Sequence, residues 1–149
     1  MEFALTTGIR FAIRIFALIR NSSIMQSLPE NIRPWGRYDI LESSETHQVK
    51  RITVNPGARL SYQRHQRREE FWVIISGSAR LTLDDVDTDH HAGAVLHIPF
   101  RSKHRVQNIG VDSLVFIEVQ RGDYFGEDDI ERFQDDYGRE GTTTALTFS

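Results

Sequence analysis

Residues 56–72 read PGARLSYQRHQRREEFW, and this stretch decides the fold predicted for the whole chain. Gln63 and His65 lie two positions apart in a run typical of a β-strand, and Glu70 follows a short polar turn. Because side chains at i and i+2 share one face of a strand, a hairpin can bring this amide, imidazole and carboxylate together. Their oxygen and nitrogen atoms are metal ligands, so the stretch predicts part of a metal site.

The rest of the chain has the pattern of an all-β protein. Short runs of strand-forming residues recur from Arg37 onward, bounded by Gly, Pro, Asn and Asp, with no long helical period between them. This pattern predicts an antiparallel sandwich or barrel. The acidic run 84–89 is predicted to be a turn, and acids early in 126–133 predict a short C-terminal helix. The predicted strands are 50–54, 59–65, 70–76, 79–83, 94–98, 104–108 and 114–120.

Composition limits the classes of function. A length of 149 residues and a hydrophobic share of 39% fit one globular domain with a buried core. The net charge of −3 argues against a nucleic-acid partner. The absence of cysteine excludes disulfides, thiolate zinc sites and a cysteine nucleophile, and it fits a reducing, cytoplasmic location.

The first 25 residues differ from the others, because three arginines and one acid interrupt apolar residues. The apolar run 11–19 is too short to span a bilayer and does not resemble a secretory signal. Three interpretations remain: an upstream start with Met25 as the true initiator, an amphipathic helix on a membrane or partner, and a targeting peptide. The predicted organisation is an N-terminal extension (1–25), a barrel domain (26–141) with no expected membrane contact, and a tail (142–149).

Two series of residues have the spacing of a known pair of motifs. The first series is Gly57, Gln63, His65, Glu70 and Gly77. The second is Gly93, Pro99, His104 and Asn108. Together they resemble the two cupin motifs, although Arg101 replaces a usual glycine. The resemblance implies a single-domain jelly-roll barrel, the double-stranded β-helix. It also implies one divalent ion (Zn, Mn, Co, Ni or Fe) bound by Gln63, His65, Glu70 and His104.

A wider set of segments resembles the cupin domain of type II mannose-6-phosphate isomerases. In many bacteria that domain follows a mannose-1-phosphate guanylyltransferase domain. The matching segments are 33–38, 49–52, 60–63, 98–99, 104–105, 117–120, 126–130 and 136–139. The resemblance implies interconversion of mannose 6-phosphate and fructose 6-phosphate, with the metal holding sugar oxygens. Family members often have Ala and His where this chain has Glu69 and Phe71.

The phosphate of such a substrate needs cations, and guanidinium suits it best. Arg68 matches a family arginine and is the first predicted phosphate ligand. Lys103 and Arg105, beside His104, are the next two. No residue is assigned as the base that transfers the proton.

Two other functions remain open. One is a non-catalytic sugar-binding or regulatory cupin that acts with a separate nucleotidyltransferase. The other is a non-haem iron oxygenase, because two histidines and one carboxylate are the ligands of such enzymes. The run 71–75 is apolar on both faces, which predicts a second cover and hence a homodimer. The histidines predicted to lie outside the site are His47, His90, His91 and His97.

Overall fold

The computed structural model describes residues 30–140, so the predicted N-terminal extension and tail lie outside the described residues. Within this range the chain forms eleven strands and one 3-10 turn, and no helix is long and apolar enough to cross a membrane. The strands are β1 (Ile32–Arg33), β2 (Gly36–Ser43), β3 (His47–Val54), β4 (Tyr62–His65), β5 (Arg68–Ser76), β6 (Ser78–Leu83), β7 (Val86–His91), β8 (Val95–Ile98), β9 (His104–Asn108), β10 (Leu114–Gly122) and β11 (Ile130–Gln134).

The strands form two antiparallel sheets. The large sheet has the order β1-β2-β3-β10-β5-β8, and the small sheet has the order β11-β4-β9-β6-β7. Strands that are distant in sequence are neighbours in both sheets, as β3 and β10 are. This arrangement confirms the predicted all-β antiparallel fold.

The space between the sheets is apolar at one end and polar at the other. In β10, the inward side chains Leu114 and Phe116 are buried in the core, while Glu118 and Gln120 continue the same face into the polar end. This follows from the two-residue period of a strand. The apolar core comprises Trp35, Ile52, Val54, Trp72, Ile74, Ala79, Leu81, Leu96, Ile98, Val106, Leu114 and Phe116.

The predicted C-terminal helix is mostly a strand. Only Glu127–Asp129 forms a 3-10 turn, and β11 begins at Ile130. The strand is stabilised by pairing with the edge of β4, where Ile130 lies opposite His65 and Arg132 opposite Gln63. Acids in a first helical turn favour a helix by local electrostatics, but this tertiary pairing outweighs them.

The predicted acidic turn is also shorter than expected. Asp84 and Asp85 alone connect two strands, both with positive φ, as a two-residue hairpin requires. The residues after them form β7, which is the edge of the small sheet and is largely exposed. Its polar and charged side chains suit an exposed edge strand, and this polar composition is the reason that the sequence predicted a turn here.

Arg101 has a backbone conformation that explains why the cupin motif usually has glycine there. Its φ is 64°, in the left-handed region, and its N–H donates to the carbonyl of His65 at 2.9 Å. Glycine adopts this φ without steric cost, whereas a residue with a Cβ does not. The chain therefore carries backbone strain beside the metal-ligand candidate His65.

The outer face of the large sheet carries an exposed apolar surface along β5, β8 and β10. Val95 is 71% exposed and Ile75 is 51% exposed. Phe71 lies on this face and stacks on His97 with ring centroids 4.6 Å apart. Glu69 is on the same side and accepts a hydrogen bond from His97 at 2.8 Å. Glu69 and Phe71, the positions where family members often have Ala and His, therefore both point away from the cavity. The second subunit predicted to cover this face stays a prediction.

Candidate metal centre

Three side chains converge at the polar end of the space between the sheets. His65 at the end of β4 and His104 at the start of β9 come from the small sheet, while Glu70 comes from β5 of the large sheet. All three are buried, and their ligand atoms lie within 4.8 Å of one another. His65 Nε2 is 3.1 Å from Glu70 Oε1, and His104 Nε2 is 3.6 Å from Glu70 Oε2. This His-His-Glu group is placed to bind a metal ion.

Neighbouring side chains hold the Glu70 carboxylate in place. Trp72 Nε1 donates to Oε2 at 3.0 Å, and Gln120 Nε2 donates to Oε1 at 3.2 Å. Gln120 is the register partner of Glu70 across β5 and β10, so strand pairing fixes this contact. Partners that orient a ligating carboxylate are a regular feature of metal sites.

The histidines present free lone pairs to the same point. His104 Nδ1 lies 3.0 Å from the Ser102 carbonyl, which can only accept, so Nδ1 carries the proton and Nε2 is the available ligand atom. His104 Nε2 and both ring nitrogens of His65 are buried and make no well-aligned hydrogen bond among the described residues, although His65 Nε2 lies 3.1 Å from Glu70 Oε1. Such orphaned nitrogens are costly in a protein interior unless another group satisfies them, and a metal ion would do so.

The charge states suit a cation. Burial lowers the pKa of His104 to about 4, so its imidazole is neutral at neutral pH. Burial alone would raise the pKa of Glu70, but the neighbouring His65, His104 and Arg68 outweigh it and hold that pKa well below its usual range. A neutral imidazole beside an ionised carboxylate is the protonation state that metal binding requires.

Gln63, the predicted fourth ligand, lies beside this group. It is half-buried, and its backbone pairs with that of His104. Its Oε1 accepts a hydrogen bond from Ser61 Oγ at 2.6 Å, which leaves one lone pair of that oxygen for another partner. Gln63, His65 and Glu70 all line one cavity. The donor set therefore offers two imidazole nitrogens, carboxylate oxygens and an amide oxygen.

The cavity is rich in cations. Five basic side chains and three carboxyl groups line it, so the lining has a positive excess. The basic residues are Arg33, Lys50, Arg68, Arg132 and Arg139.

The three predicted phosphate ligands have different positions. Arg68 lines the cavity and is buried. Lys103, His104 and Arg105 are not among the lining residues, and Lys103 and Arg105 point away from the interior on either side of the buried His104. Lys103 Nζ lies 4.7 Å from the centroid of the Phe133 ring, and Arg105 donates to Gln134 Oε1 at 2.8 Å.

Sequence reasoning missed four of the basic residues in the cavity. Three of them, Arg33, Lys50 and Arg139, fall inside segments that carry the family resemblance, so a signal for them was present. Arg132 lies in the stretch predicted to be helical. Its position beside Gln63 depends on the pairing of β11 with β4, which the sequence does not reveal.

Comparison with known proteins identifies the family. A family model described as mannose-6-phosphate isomerase C-terminal matches residues 20–135. The chain belongs to this family. Alginate biosynthesis protein AlgA of Pseudomonas aeruginosa is 50% identical over 110 residues, which are 74% of this chain and 23% of AlgA. A mannose-1-phosphate guanylyltransferase of Salmonella montevideo is 46% identical over 110 residues, again 74% of this chain and 23% of the relative.

The two relatives are much longer than this chain, and a solved structure shares its fold. The chain spans about a quarter of the length of AlgA and of the Salmonella guanylyltransferase. A Klebsiella pneumoniae protein with a double-stranded β-helix domain superposes with a TM-score of 0.61 at 19% identity, over 76% of this chain and 100% of that chain. The fold is therefore the cupin fold that the motif spacing predicted.

Proposed function

We propose that the chain is a metal-dependent isomerase that interconverts mannose 6-phosphate and fructose 6-phosphate. The convergence of His65, Glu70 and His104, of which the first two line a cationic cavity, carries the proposal in a member of this family. An aldose–ketose isomerisation moves a proton between C1 and C2 and develops negative charge on the adjacent oxygens. The site offers a place to hold those oxygens and a positive field around them.

Each group of residues has its own role in the proposed isomerisation. His65, Glu70 and His104, with Gln63 as the fourth, would hold one divalent ion of the group zinc, manganese, cobalt, nickel and iron. Such an ion supplies Lewis-acid stabilisation of developing charge on the sugar oxygens. Arg68 lies 3.7 Å from Glu70 through Nε, so its guanidinium adds positive charge at the reacting end of the cavity. The cavity wall shields these groups from bulk water, which strengthens each electrostatic contact.

The test measures bound metal and turnover on the same protein. The purified chain is loaded with each candidate ion, its metal content is determined by mass spectrometry, and fructose 6-phosphate production is followed in a coupled assay. We expect one ion per chain and turnover of mannose 6-phosphate. His104→Ala should remove both, while His97→Ala, on the exposed outer face, should change neither.

The outcomes separate this proposal from a second candidate function. Stoichiometric metal without turnover would favour a non-catalytic sugar-binding cupin that acts with a nucleotidyltransferase, because one relative is named a guanylyltransferase and is much longer than this chain. Failure to bind any of the five metals would contradict the isomerase proposal.

A further inference from the structure

We propose that Arg33, Arg132 and Arg139 form the subsite that binds the phosphate group of the substrate. This inference rests on the proposed function, since it names where the sugar's phosphate lies when its carbonyl end is at His65, Glu70 and His104. The three arginines come from β1, from β11 and from the turn after β11, and all three line the cavity.

The register of the small sheet sets the distance between the two ends. Arg132 pairs with Gln63, and Gln63 pairs with His104, so Arg132 lies two strands from His104. Two strand spacings are roughly 10 Å. An extended hexose 6-phosphate has a comparable length from its carbonyl carbon to its phosphorus. A sugar whose C1 and C2 reach the metal centre is therefore long enough to extend its phosphate toward β11.

The three guanidinium groups act as a cluster. Burial, together with the nearby charges of Arg139 and Arg33, lowers the pKa of Arg132. The side chain of Arg132 is 8% exposed. Like charges held together in a partly desolvated cavity repel one another, and a dianion that they share would relieve this repulsion. One exposed carboxylate, Glu127, lies 3.7 Å from Arg132, and an incoming phosphate would compete with it.

Surrounding groups hold the cluster in position without a ligand. Arg139 makes a bidentate contact with the buried carboxylate of Asp135, at 2.9 and 2.7 Å. The guanidinium of Arg33 lies 5.0 Å from the centroid of the Tyr38 ring, within cation–π range. Such pre-organisation reduces the entropy lost when the ligand binds.

Arg68 is less suited to this role. Its Nη1 donates to the Gly126 carbonyl at 3.2 Å and lies 3.6 Å from Asp129, while its Nε faces Glu70. The side chain of Arg68 is 1% exposed, against 8% for Arg132 and 26% for Arg139, so a ligand in the cavity has least access to Arg68. It therefore belongs to the metal end of the cavity, and the phosphate needs the other arginines.

The experiment compares Arg132→Met and Arg33→Met with Arg64→Met as the matched control. Arg64 lies on the outer face of β4, next to Arg132 in the sheet, and pairs there with Glu131 at 2.6 Å. Each metal-loaded variant is assayed for KM and kcat with mannose 6-phosphate. Binding of inorganic phosphate is measured separately by calorimetry, because that readout does not depend on turnover.

We expect Arg132→Met to raise KM roughly tenfold to a hundredfold and to weaken phosphate binding by a similar factor, the cost of one charge-assisted contact. Arg33→Met should act in the same direction, while Arg64→Met should stay within about twofold of the wild type. Metal content should be unchanged in all three.

The results distinguish a wrong subsite from a wrong function. If Arg132→Met and Arg33→Met keep normal KM and phosphate affinity, the subsite is wrong even when the wild type is an isomerase. If the wild type binds phosphate through Arg132 but does not turn over mannose 6-phosphate, the subsite stands and the isomerase proposal fails. Should Arg132→Met not fold, Arg33→Met in the edge strand β1 decides the question alone.

Discussion

Replacing Glu118 with glutamine should stabilise the metal-free protein at neutral pH. The Glu118 side chain is buried, and burial, helped by the negative charge of Glu70, raises its pKa to about 8. Glutamine has almost the same shape, and its amide oxygen can accept the hydrogen bond that Gln120 Nε2 now donates to Glu118 at 2.7 Å. The substitution therefore removes the cost of a buried ionisable group and little else.

The size of the effect follows from the pKa shift. An unfolded glutamate titrates near 4.5, so between that pH and about 8 the unfolded state has lost a proton that the folded state keeps. Folding then takes up a proton, and the free energy of unfolding falls by about 1.4 kcal/mol per pH unit as pH rises. At pH 7 the accumulated cost is roughly 3 kcal/mol, whereas at pH 5 it is below about 1 kcal/mol.

Urea unfolding in the presence of a chelator measures this difference. Trp35 and Trp72 are both buried in the core, so tryptophan fluorescence reports loss of the core. The wild type, Glu118→Gln and the control Glu45→Gln, at an exposed position, are compared at pH 5 and pH 7. A Glu118→Gln protein with the same gain at both pH values, or with a loss at pH 7, would refute the reasoning.

Three further predictions test other features. Arg101→Gly should raise the free energy of unfolding by about 0.5–1 kcal/mol, because glycine relieves the left-handed backbone; a lower melting temperature would contradict this. Asn108→Ala should cost about 3 kcal/mol in urea unfolding, since it removes the donor to the buried Val54 carbonyl at 2.9 Å, and a cost under 1 kcal/mol would count against it. We expect light scattering to show a dimer for the wild type and a monomer for Ile117→Lys, in β10. The control Val111→Lys, at a 90% exposed position, should remain a dimer. A dimeric Ile117→Lys protein would show that the interface does not include this part of β10.

Only part of the candidate metal site follows from local rules. Gln63 and His65 share one face of β4, but the predicted hairpin to Glu70 is wrong, because β4 and β5 belong to different sheets. The approach of Glu70 to His65 therefore depends on how the two sheets pack. The prediction of His104 as a metal ligand depended on the second cupin motif, whose spacing is specific. The same local rule, applied to β9, would have directed Lys103 and Arg105 away from the cavity once His104 pointed inward.

The rest depends on which strands become neighbours. Arg132 faces the cavity only because β11 pairs with β4, and the acidic segment before it favours a helix when considered alone. Arg33 reaches the same cavity from the other sheet. Such convergence is set by long-range pairing and carries no periodic signal, so the sequence offered only the segments of family resemblance as a guide.

The metal-ligand group also has a dynamic consequence. His65 and His104 belong to one layer and Glu70 to the other, at the end where polar side chains replace the apolar core. Coordination by all three would tie the layers together where packing contributes least. Opening fluctuations at that end should then become rarer, and amide hydrogen exchange in β4 and β5 should slow when metal is added. Occupancy of the centre would thus govern how often this end of the barrel admits water.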